Sequence, residues 1–101
     1  MKPQDTEQVF NEIMIHIGNN GKVYSDWYCG VTSDWENSLF NLHKVPRAGH
    51  PWIARQCYSS DDAEKVESSL SELGCEVSLK TADSTMTCIY AYLKEKTITT
   101  P

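Results

Sequence analysis

The chain has 101 residues, 40% of them hydrophobic and 23% charged, with a formal net charge of −5. That length supports one domain around a single modest core, and no apolar run approaches the roughly 18 residues of a membrane span. The acidic balance disfavours a general nucleic-acid binder, because such binding rests largely on Lys and Arg neutralising phosphates.

Residues 1–9 read as a flexible lead-in or a short helical turn, ahead of a domain over 10–96. From Phe10 to Ile17, Ile13, Ile15 and Ile17 alternate with other residues, the period of two of a half-buried strand. Gly18-Asn19-Asn20-Gly21 is hairpin chemistry, and a returning strand is expected over about Lys22–Val31. Ser33 and Glu36 fit a capping box that opens a helix with Trp35, Leu39 and Leu42 on one face, ending near Lys44, before Pro46. After a loop from Val45 to Pro51, Trp52–Tyr58 reads as a third strand. Ser59-Ser60-Asp61 starts a second helix with a stripe of Ala63, Val66, Leu70 and Leu73, closed by Gly74. Cys75–Leu79 reads as a short extension, Thr85–Lys94 as the fourth strand, and 97–101 as a frayed tail. The order β-β-α-β-α-β predicts an α+β fold, a small, mostly antiparallel sheet of about four strands with two main helices packed on it.

Charge and cysteines narrow the setting. Residues 37–60 hold no Asp or Glu but include Lys44, Arg47 and Arg55, the one anion-facing cluster the sequence offers. Residues 61–76 are strongly acidic, as a solvated helix face would be. Cys29, Cys57, Cys75 and Cys88 lie far apart, without a Cys-x-x-Cys pair, which argues against zinc. Each sits in or beside an apolar run, where a free thiol behaves as a small hydrophobe. Reduced cysteines and a polar, acidic start without a secretory pattern favour the cytoplasm.

Tyr28-Cys29-Gly30, Val31-Thr32-Ser33-Asp34 and Asp62-Ala63-Glu64-Lys65-Val66-Glu67 stand in an order that resembles the GIY-YIG nuclease domain. Ile89-Tyr90-Ala91-Tyr92 looks like that family's closing strand. The resemblance implies a catalytic phenol at Tyr28 and a metal-binding carboxylate at Glu67, holding Mg²⁺ if any metal binds; no other cofactor is expected. The family's first tyrosine falls on Ile17 or, with one more hairpin residue, on His16, and Tyr24 substitutes only if the hairpin is drawn differently. The family's histidine is displaced by one residue to His43, and its catalytic arginine falls on Ser38. A neutral hydroxyl cannot replace a permanently charged, planar guanidinium at a scissile phosphate.

Each of these residues also has a plain structural reading. Tyr28 fits a core tyrosine, His16 a strand histidine, His43 a helix C-terminal residue, Glu67 a solvated glutamate, and Lys44, Arg47 and Arg55 ordinary surface. Together they point to a degenerate GIY-YIG-like domain, a binding module for a protein or, weakly, a nucleic acid, rather than an enzyme. The alternatives are a divergent metal-dependent endonuclease in which Arg47 or Arg55 supplies the missing cation, and an unrelated small α+β interaction protein.

Overall fold

The structure, a computed structural model, describes residues 1–78 and 83–101. Strand β1 (Pro3–Gln4) leads into helix α1 (Thr6–Asn19), and a short 3₁₀ turn at Tyr24–Asp26 precedes β2 (Trp27–Thr32). A π-helical segment (Asn37–Leu42), β3 (Trp52–Cys57), α2 (Ser60–Glu72), β4 (Glu76–Val77) and β5 (Cys88–Leu93) follow. The sheet has five strands in the order β1-β3-β5-β2-β4. It is mixed: β5 runs antiparallel to both β2 and β3, whereas the short edge strands β1 and β4 run parallel to β3 and β2. The α+β class holds; the sheet has one strand more than expected and parallel edges.

The largest departure is at the N-terminal end, where the expected strand from Phe10 to Ile17 is part of α1. Val9, Ile13 and Ile17 recur every four residues and are fully buried, while Ile15 is 62% exposed. Asp5 caps the helix by accepting from the Gln8 backbone N–H at 2.8 Å. The Gly-Asn-Asn-Gly stretch therefore ends a helix instead of turning a hairpin. Asn20 Nδ2 donates to the His16 carbonyl, and Gly21 and Lys22 take the left-handed conformation past the helix end.

The second expected helix is α2, capped by Ser59, with Ala63, Val66 and Leu70 buried; Leu73 falls at its C-cap and is partly exposed. The proposed extension after Cys75 contains β4, and Leu79 lies outside the described residues. The expected cap at Ser33 shifts by one position. Thr32 Oγ1 accepts from the Asp34 N–H at 3.0 Å, and Asp34 Oδ1 accepts from the Asn37 N–H, so Asp34 caps the segment. Glu36 turns outward to Arg47.

Strand alternation divides the core in two. Trp27, Cys29, Ile53, Ile89 and Ala91 face α1 and α2. Tyr28, Ala54, Tyr90 and Tyr92 face the other way, where Leu39 and Val45 cover them and Trp35, Phe40 and Trp52 pack alongside. All four cysteines are buried without disulfides. At the far end Thr99 is buried, and Thr100 bonds the backbone of His43. No helix among the described residues is long and apolar enough to cross a membrane.

Candidate functional site

The chain leaves β2 through Thr32 and enters the π-helical segment, whose widened turn sets the site. His43 N–H donates to the Ser38 carbonyl at 2.9 Å, an i to i+5 bond. Ser38 and His43 are thereby brought one above the other, where an ordinary α-turn would align Ser38 with Leu42. Lys44, with φ 59°, then turns the chain away.

Ser38 and His43 form part of one wall of a cleft of about 490 Å³ that also takes in Tyr28, Glu67 and Tyr90. Ser38 Oγ and Thr32 Oγ1 lie 2.8 Å apart in a buried hydroxyl pair. The His43 ring is held from two sides. Its Nδ1 is 2.6 Å from the Thr100 carbonyl, which can only accept, so Nδ1 carries a proton. Its Nε2 is 2.8 Å from Tyr90 Oη and accepts that phenol's proton in the neutral ring. Tyr92 Oη also reaches Nδ1, at 3.0 Å. The Tyr28 ring lies 4.8 Å from that of His43 and stacks on Tyr92 at 5.4 Å. Burial pushes the Tyr28, Tyr90 and Tyr92 phenols above their ordinary range, so all three remain protonated near neutral pH.

The opposite strand position explains how Tyr90 reaches His43. Gly30 pairs with Tyr90 across β2 and β5, and a Cβ on Gly30 would lie 2.5 Å from Tyr90 Oη. Only a glycine lets the phenol lie across the strand.

Glu67 enters from the edge of the buried stripe of α2. Among the described residues β4 pairs with β2 at Tyr28 and Cys29, and beyond that pairing the Glu67 carboxyl faces the Val31 backbone N–H. Its Oε2 is buried with no hydrogen-bond partner among the described residues. Burial first, and the neighbouring Glu64 second, push its pKa up to about 7; the Val31 amide opposes that shift.

The other sequence candidates lie elsewhere. His16 is on α1, packed edge-on against Trp27 on the far face of the sheet, and burial lowers its pKa. Tyr24 packs against the helix-side core. Arg55 is on that side too, donating from Nε to Glu12 at 2.7 Å. Arg47 reaches Glu36 and covers the Phe40 ring on the opposite face. Lys44, Arg47 and Arg55 thus form no common patch, and no Lys or Arg lines the cleft among the described residues.

The metal implied by the resemblance would rest on Glu67 alone. No group of three or more His, Cys, Asp or Glu side chains able to hold an ion occurs among the described residues. One carboxylate leaves most of an octahedral shell to water, so this donor set does not fit a dedicated metal site. Tyr90 and Asp34, which also line the cleft, stand in the sequence motifs but were not named as site residues. Finding Tyr90 requires the strand register that sets it against Gly30. Compared with known proteins, the chain matches no family model, no curated protein and no solved structure.

Proposed function

We propose that this chain is a binding module on a GIY-YIG-like scaffold, without nuclease activity, that engages a protein partner in the cytoplasm. The observation that carries this reading is the cleft itself. It is open and polar and gathers Tyr28, Ser38, His43 and Glu67, yet Ser38 is a neutral hydroxyl hydrogen-bonded to Thr32 and no Lys or Arg is among its described lining residues. Phosphoryl chemistry needs positive charge where the transition state accumulates negative charge. Nucleic-acid affinity needs it at the backbone phosphates. A cleft edged by Asp34 and Glu67 offers the opposite sign, which favours a protein partner over a nucleic acid.

A divergent metal-dependent endonuclease would need Arg47 or Arg55 to approach Tyr28 and Glu67. Neither lines the cleft. An unrelated small α+β interaction protein is the second reading, favoured by Ile15 standing on α1 instead of pairing with β2. The test of the first reading is cleavage of plasmid and branched DNA with Mg²⁺ or Mn²⁺. We expect none; cleavage that disappears in Glu67→Ala would overturn the proposal.

A further inference from the structure

We propose that the cleft takes an organic cation, a guanidinium or alkylammonium group, seated on Glu67 against the Tyr28 and Tyr90 rings. This rests on the binding reading above and names the chemistry of its ligand.

The Glu67 carboxyl faces the Val31 amide, while Oε2 is buried without a partner among the described residues. An unpaired buried carboxylate oxygen is costly, and a hydrogen-bond donor carrying positive charge relieves that cost most fully. The walls suit the same guest. Tyr28 and Tyr90 both line the cleft, each packed against the His43 ring at 4.8 and 5.5 Å between centroids, and aromatic rings attract cations. Asp34 adds a second carboxylate at the rim, and no Lys or Arg among the described lining residues competes for either. An anionic ligand would meet two carboxylates and no Lys or Arg among the described lining residues. A divalent metal would find two carboxylates, Glu67 and an Asp34 already accepting from the Asn37 N–H, where it prefers several oxygen donors. A guanidinium or ammonium group needs only one carboxylate and an aromatic wall.

The titratable groups close enough to interact with Glu67 are Glu64 on its own helix, Tyr28 and Cys29 on β2, and Tyr90 on β5. His43 and Asp34 share the cleft. Of these, Glu67 has its pKa pushed up to about 7 by burial, so a bound cation would draw it into the charged form and release a proton near neutral pH.

The experiment is a titration of the full chain followed by amide NMR and by calorimetry. The probes are N-ethylguanidine, n-butylamine, a capped tripeptide with a central Arg, Mg²⁺, inorganic phosphate and a short DNA duplex. Both free cations should shift the Val31 and Tyr28 amide signals. Binding should weaken at least about tenfold in Glu67→Gln. If the guest is carried by a polypeptide, the peptide binds tighter than N-ethylguanidine; if it is a free amine, the order reverses. Because Glu67→Gln could alter folding, calorimetry of the wild type at about pH 6.5 in buffers of different ionisation heat provides a second reading, in which binding should release a proton. The inference is overturned if neither organic cation binds, if Glu67→Gln binds as well as the wild type, if no proton is released, or if Mg²⁺, phosphate or DNA binds more tightly. DNA cleavage would instead remove the binding reading beneath it.

Discussion

Ser38 and His43 are joined across a single π turn: the His43 amide donates to the Ser38 carbonyl at 2.9 Å, and the His43 ring reaches Tyr90 at 2.8 Å. The turn sets His43 over Ser38. An α-turn would carry Leu42 to that place. The π turn carries His43 there and leaves Leu42 largely exposed. Tyr28, Ser38, His43 and Glu67 thereby line one cleft.

The Tyr90–His43 bond should have a measurable effect on stability. Tyr90→Phe leaves Nε2 without its donor in a part-buried site, and we expect a loss of about 1–2 kcal/mol in chemical denaturation. An unchanged midpoint would mean that the ring is not held by this bond.

Gly30→Ala tests the close crossing of β2 by Tyr90. The added Cβ would lie 2.5 Å from Tyr90 Oη, so the phenol must move or the strands must part, at a cost of about 1–3 kcal/mol. Thermal unfolding of the variant should occur at lower temperature, and the Tyr90 ring signals should shift. A variant as stable as the parent would contradict the register.

Ile13→Ala and Ile15→Ala separate a helix from a strand over this segment. In a strand the two side chains share a face and would respond alike. On α1, Ile13 is fully buried and Ile15 exposed, so the first should cost about 2–5 kcal/mol and the second within about 0.5 kcal/mol. Urea denaturation of the pair gives the answer directly.

That segment shows where legibility ended. Ile13 and Ile17 satisfy both a period of two and a spacing of four, so they do not discriminate. The deciding residues were Val9, one turn earlier, and Asp5 with Gln8, a cap and its amide partner lying in what reads as a lead-in. α2 was legible because its stripe and its Ser59 cap agree. Tyr28, Ser38, His43 and Glu67 were found through the wording of two motifs. Neither the π turn nor the pairing of Gly30 with Tyr90 has a local signal. Both depend on contacts between residues far apart in the chain, as does the parallel pairing of the two-residue edge strands.

Glu67 should give stability a pH dependence opposite to that of an ion-paired carboxylate. Its pKa is about 7 in the folded chain against 4.5 for an ordinary glutamate. Below about pH 4.5 it is protonated folded or unfolded. Between about 4.5 and 7 the unfolded chain binds fewer protons, so stability falls as pH rises; above that window the penalty is constant. The group is only partly buried, so solvent screening reduces the total to about 1–2 kcal/mol. Denaturation of Glu67→Gln across this range should lack the Glu67 contribution to the slope and show greater stability than the parent at about pH 8.

The most direct test is DNA cleavage by the wild-type chain beside Glu67→Ala, on supercoiled plasmid and branched duplexes with Mg²⁺ or Mn²⁺. With Ser38 paired to Thr32 and no cation among the described lining residues, both proteins should leave every substrate intact. Nicking by the wild type that is lost in Glu67→Ala would show that the cleft performs the chemistry and contradict its reading as a binding site.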